Sequence, residues 1–318
     1  MTERRNDLEA PYRGIPLPAD WRSVTRVEKG WSRDLKYRVQ MNTGPDLLLR
    51  LNEHAPPEKR RQEYLFVKNL HARGLPVPRA HAFGRAGAGE ATYLLLDWTE
   101  GRDLEEALPA LDEAARYRLG LEAGRILRAI HQTPLTDDLP APRAMRERAL
   151  GKLQRFREAG LQVADSTAVL AFAESRLDWL DSHPPVAQHG DFHPGNLILA
   201  PEGHLAVIDF NRFDTGDPVE EFVKLQSFTI EHSLEFALGQ LHGYFEGDPD
   251  EAFWRSLAVH AAVTALYSIR WAKPFGQREV DGMLARYGRA FRDYRGFTQV
   301  VPAWYRPART MKPKRSQA

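Results

Sequence analysis

The sequence predicts an α+β protein, with a small antiparallel sheet and one helix in residues 1–98 and a mostly helical remainder in 99–318. Three observations carry this. Short strand-like runs separated by turn residues crowd the first hundred positions. Apolar residues recur at helical spacing through most of the remaining chain. A single hairpin pattern, Leu197 to Leu199 and Leu205 to Ile208 around Pro201-Glu202-Gly203-His204, interrupts those helices.

Taken in order, Val24 to Lys29 and Leu35 to Met41 read as two strands joined through Gly30-Trp31-Ser32. Leu47 to Leu51 is a third, nearly all-apolar strand. A helix is expected over Glu58 to Arg73, where Tyr64, Leu65, Val67 and Leu70 recur near helical spacing and Gly74 with Pro76 stops the run. Thr92 to Trp98 is a short apolar run suited to a buried strand, and Glu100-Gly101 ends it, so the domain boundary is drawn after Trp98. Beyond it, helices are expected at 112–131, 143–159, 166–181, 218–230, 250–272 and 277–294.

Composition narrows the function. The 318 residues carry 44 Lys and Arg against 43 Asp and Glu, a net charge of +1, too balanced for a general nucleic-acid coat. With no cysteine there is no disulfide framework, thiolate metal centre or thiol nucleophile. The N-terminus lacks the apolar core of a secretory signal. Leu257 to Ile269, broken by His260, Thr264 and Ser268, falls short of the roughly 20 residues that cross a bilayer. The expectation is a cytoplasmic protein with no membrane or nucleic-acid partner and an oligomeric state left open.

The chemistry concentrates in His189-Gly190-Asp191-Phe192-His193-Pro194-Gly195-Asn196 and, after the hairpin, Ile208-Asp209-Phe210. Asp191 and Asn196 on a loop and Asp209 at the hairpin's end supply oxygen groups suited to magnesium and phosphate. Asn196 and Asp209 would be the ligands, leaving Asp191 to accept a proton from a hydroxyl. A competing metal pair, His189 with His193, needs a helix that Gly190, Pro194 and Gly195 oppose.

This constellation, with Gly216-Asp217-Pro218 after it, resembles the aminoglycoside phosphotransferase family, which has a two-lobed protein-kinase-like fold and is related to choline and fructosamine kinases. The resemblance covers nearly the whole chain. It implies Asp191 as the catalytic carboxylate, Asn196 and Asp209 as Mg²⁺ ligands, and ATP or GTP as the phosphoryl donor. It implies that His189 packs the loop. It also places a basic residue on the third strand against the nucleotide phosphates and a glutamate on the next helix to orient it, positions matched by Arg50 and Glu63. Arginine departs from the kinase lysine; the alternative is a surface arginine at a strand end, with Lys36 as the reserve candidate. Gly30 and Ser32 are expected either to offer donors to phosphate or simply to form a turn. Backbone groups from Leu96 to Trp98 would pair with the base, with Leu95, Leu96 and Ile208 as apolar walls or plain core.

For the acceptor, the segment from Asn211 to Glu251 holds ten acidic residues against Arg212 and Lys224. That favours a cationic small molecule such as an aminoglycoside-like antibiotic, bound by Glu220 and Glu221, unless the charge is a solvated surface. A metabolic amino alcohol or sugar is the alternative acceptor. A pseudokinase is the alternative class, kept open by Arg50 and the glycine-poor loop.

Overall fold

The computed structural model describes residues 2–3, 15, 20–28, 34–86, 91–142 and 144–311. Gly30 and Ser32 lie outside the described residues. The chain divides into two compact units, the first formed by Met1–Arg102, Thr136–Pro140 and Ile198–Asn211, the second by the remainder.

In the first unit, β1 (Thr2–Glu3), β2 (Trp21–Val27), β3 (Leu35–Met41), β4 (Leu47–Asn52), β5 (Ala80–Ala86) and β6 (Ala91–Asp97) form one sheet in the order β1-β2-β3-β4-β6-β5. Every neighbouring pair is antiparallel. Strand alternation divides the side chains: Val24, Tyr37, Val39, Leu47, Leu49 and Leu95 join one core cluster. Lys36, Arg50 and Leu94 are aligned across β3, β4 and β6 and so leave the sheet on the opposite face.

Helix α1 (Pro57–Ala72) follows β4, with proline in its first turn, where a missing N–H costs nothing. It buries Phe66, Val67 and Leu70, and Arg60 and Glu63 with them. The hairpin of Leu197–Leu199 and Leu205–Val207 is tied to this unit by the Val207 N–H, which donates to the Pro76 carbonyl at 2.8 Å. The first unit therefore takes in a segment that a boundary drawn after Trp98 leaves in the second.

The second unit is mostly helical. Its helices are α2 (Leu104–Ala107), α3 (Glu113–His131), α4 (Met145–Glu158), α5 (Ser166–Glu174), α6 (Ile230–His232), α7 (Leu234–Phe245), α8 (Glu251–Ala272) and α9 (Gln277–Asp293). Side-chain caps start three of them, with Asp112, Ser233 and Asp250 accepting from the N–H groups of Ala115, Phe236 and Phe253. Helices α4, α5, α8 and α9 share a core that includes Leu153, Phe156, Val169, Leu266 and Tyr287. The helix expected over 218–230 is present but mixed in pitch, 3₁₀ at Pro218–Phe222, π at Leu225–Thr229 and α at Ile230–His232.

Helices α3 and α7 meet through glycines. A Cβ on Gly124 would run into the carbonyl oxygen of Gln240, and one on Gly243 into that of Leu121. Rigid backbone cannot retreat as a side chain would. Gly124→Ala is therefore expected to destabilise the protein by at least about 2 kcal/mol, read as a lower urea midpoint, despite alanine's better helix propensity.

Candidate functional site

In the second unit the His189–Asn196 loop is held from both sides. It leaves a short ribbon in which Val186–Gln188 pairs with Asp214–Gly216. Gly190 has φ +81, and a Cβ there would collide with the Arg212 carbonyl, so the turn needs glycine. His189 is fully buried, and its Nδ1 accepts from the Asp191 N–H at 3.1 Å. Asn196 sits on a 3₁₀ turn begun by Pro194 and donates from Nδ2 to the Asp191 carbonyl at 2.9 Å. The sequence motif closes into a ring in which Asn196 locks the backbone of Asp191.

Glu221 braces this ring. Its side chain is 2% exposed, and the carboxylate accepts from the N–H groups of His189 and Gly190, both at 2.8 Å. The oxygen that takes the His189 bond also meets His131 Nε2 at 3.2 Å, and His131 Nδ1 is 2.8 Å from the Tyr244 hydroxyl. Burial would raise the Glu221 carboxyl, but the hydrogen bond and charge of His131 hold it below the usual range. Asp217 is likewise internal, accepting from the Val219 N–H and lying 2.9 Å from His260 Nε2.

These partners correct the expectation that Glu220 and Glu221 bind the acceptor. Glu221 is enclosed by the loop it supports, and Glu220 is paired with Lys152 at 2.9 Å and Arg148 at 3.4 Å. The rest of the acidic segment is also engaged: Glu231 with Arg286 and Arg289, Glu246 with Arg128, and Asp248 with Tyr305. Charge counting along the chain could not reveal these partners because most lie far away in sequence.

What surrounds Asp191 is basic. Lys224 Nζ is 2.5 Å from Oδ1, Arg212 is 3.6 Å from Oδ2, and His193 Nε2 is 3.8 Å away. Burial would raise the Asp191 carboxyl, yet Lys224, then Arg212 and His193, bring it down to about 2. Burial lowers His193 to about 4 against the pull of Asp191, so its ring is neutral at pH 7. The carboxylate stays ionised and is better suited to orienting a hydroxyl than to removing its proton early.

The first unit holds the other predicted residues. Arg50 Nη1 is 2.6 Å from Glu63, its Nη2 is 2.5 Å from Asp34, and the same nitrogen is 3.5 Å from Asp209. Arg60 bridges Glu63 at 2.8 Å and Asp34 at 3.2 Å. Burial opposes the charge on Arg50, but Glu63, Asp209 and Asp34 together hold the guanidinium more firmly protonated. Asp34 and Arg60 were not anticipated; only the Arg60–Glu63 spacing of three on a helix hinted at the second.

Lys36 Nζ is 3.0 Å from Asp209 Oδ2. Asp209 itself has φ +64, a left-handed backbone uncommon outside glycine and found often at functional positions. Leu96 is buried and Ile208 half-buried. The expected base-pairing groups are partly committed to the sheet, since the Asp97 N–H donates to the Arg79 carbonyl and the Trp98 N–H to that of Asp46. The Trp98 N–H is thereby engaged within the first unit.

Magnesium suits the donor chemistry. Asn196 spends its amide nitrogen on Asp191, leaving a hard amide oxygen in the second unit, and Asp209 in the first unit carries a carboxylate. Among the described residues no group of three or more His, Asp or Glu is arranged as a metal site, and no helix is long and apolar enough to cross a membrane.

Residues 23–257 match the model of the APH phosphotransferase enzyme family. The chain belongs to that family. A search of curated proteins returned no match. Solved structures share the kinase-like fold with this phosphotransferase-family chain. The GDP complex of wild-type aminoglycoside 2′-phosphotransferase-IIIa is 15% identical with a TM-score of 0.65, covering 86% of this chain and 93% of that one. A choline/ethanolamine kinase family protein from Mesorhizobium loti is 16% identical with a TM-score of 0.64, covering 91% and 92%. Amicoumacin kinase in complex with AMP-PNP and Ca²⁺ is 17% identical with a TM-score of 0.64, covering 93% of each.

The depressed carboxylates fix a pH response. Asp34 and Asp191 both lie near 2 against an ordinary 3.8; burial alone would raise Asp34, but Arg50 and Arg60 override it. A folded value below the unfolded one stabilises above about pH 4, and the gain is lost as pH falls toward 2. Each carboxylate contributes about 2 kcal/mol. Urea midpoints are expected to fall steadily from about pH 4.5 to about pH 2.5; a flat profile there would remove both assignments.

Proposed function

We propose that this chain is a small-molecule kinase that transfers the γ-phosphoryl group of ATP or GTP to a hydroxyl. The observation that carries this reading is the His189–Asn196 loop, which presents an ionised Asp191 on a backbone fixed by Asn196 and Glu221. Asp191 orients the acceptor hydroxyl. As the bond from Pγ to its bridging oxygen breaks and the bond to the acceptor oxygen forms, Asp191 takes the hydroxyl proton and passes it to solvent. Asn196 and Asp209 would hold Mg²⁺, which when bound offsets charge on the phosphates. Lys224 and Arg212 beside Asp191 would offset charge that gathers on the transferring group.

Because Glu220 and Glu221 are engaged within the fold, the acidic segment no longer favours a polycation. The acceptor is a small hydroxyl compound, antibiotic or metabolite. The intact Asp191, Asn196 and Asp209 set favours catalysis over a pseudokinase.

The test is a coupled turnover assay with ATP and GTP plus Mg²⁺ over aminoglycosides, other antibiotics, amino alcohols and sugars. Acceptor-stimulated turnover is expected. Tight nucleotide binding without stimulation by any acceptor would favour the pseudokinase instead.

A further inference from the structure

Two cations of the first unit leave the sheet on one face, because Lys36 on β3 and Arg50 on β4 stand directly opposite in antiparallel register. Their surroundings differ. The Arg50 side chain is 2% exposed and its nitrogens face Asp34, Glu63 and Asp209. Arg60 completes a closed set with Asp34 and Glu63. Turning Arg50 toward a phosphate would strip buried carboxylates of their counter-charge, a far larger penalty than moving an exposed pair.

Lys36 is placed otherwise. Its side chain is 14% exposed, and it pairs with Asp209, itself 18% exposed. An ammonium carries three N–H donors on a flexible stem, so it can keep one on Asp209 and present others to a phosphate. Asp209 is also one of the groups assigned to Mg²⁺, which brings Lys36 to the end of the sheet face where metal and phosphate charge would meet.

Resting on the kinase reading above, we propose that Lys36, and not Arg50, is the cation that contacts the nucleotide's phosphates. Arg50 is then a positioning residue: it holds α1 through Glu63 and steadies Asp209, while phosphate contact moves one strand over. The arginine standing where the kinase pattern has lysine is thereby accounted for, since a bidentate fork serves buried carboxylates better than an ammonium would.

The test measures nucleotide affinity and thermal midpoint on the full chain, by calorimetric titration of ATP and GTP with and without Mg²⁺. Lys36→Met is expected to weaken nucleotide binding at least tenfold with an unchanged Tm, and Lys36→Arg to restore part of it. Lys36→Gln gives a second neutral variant should the first fold poorly. Arg50→Met is expected to lower Tm by several degrees. Wild-type affinity in both Lys36→Met and Lys36→Gln overturns the proposal while leaving the kinase reading intact. So does an Arg50→Lys variant that keeps its Tm but loses nucleotide. Absence of nucleotide binding in the wild-type chain overturns the kinase reading and this proposal with it.

Discussion

Asp191→Asn is expected to reduce phosphoryl transfer by roughly a thousandfold, within the range attributed to a positioned acid or base. The amide keeps the size of the side chain but loses the charge that orients the hydroxyl and the site that receives its proton. Lys224 and Arg212 would then face each other without the anion between them. Both side chains are partly exposed and can turn to solvent, so the stability lost should not exceed the roughly 2 kcal/mol carried by the charge, about half the barrier change of a thousandfold rate loss. Nucleotide affinity should stay within a few-fold of wild type. Single-turnover rates and nucleotide titration separate the two effects, and transfer within tenfold of wild type would remove Asp191 from its role.

The second large effect is expected from Glu221→Leu. It leaves the His189 and Gly190 N–H groups and the His131 ring without their acceptor in a buried setting. Breaking such a set costs about 3–5 kcal/mol. The loop carrying Asp191 would lose its brace, so kcat should fall together with the urea midpoint. Glu221→Gln retains one acceptor oxygen and should lie between the two. Unchanged stability with a raised acceptor KM would instead return Glu221 to the acceptor pocket.

The local motifs were legible because their chemistry is contiguous. The Asp191-to-Asn196 spacing and the turn residues between them foretell the Asn196–Asp191 bond, whereas the Arg50–Glu63 pair is foretold by the family resemblance, with which the strand-to-helix interval is consistent. Helix α7 was not foreseen. Phe236 through Gly243 are all buried, so the segment has no polar face and no helical rhythm to read. Strand β5, Ala-His-Ala-Phe-Gly-Arg-Ala, lacks strand-forming residues apart from Phe83 and owes its conformation to pairing with β6. Glu221 shows the same limit in the site: its charge is visible in the sequence, but its partner His131 lies 90 positions away.

The closed set of Arg50, Arg60, Asp34 and Glu63 has an evolutionary consequence. Each member has at least two ionic partners inside it, so any single replacement strands a buried charge. Joint replacement by apolar residues of similar volume would be far better tolerated than the separate effects suggest. Stepwise mutation therefore meets a barrier with viable sequences on both sides. Descendants of this chain should keep the four residues together or exchange them as a block, even where the surrounding surface drifts freely.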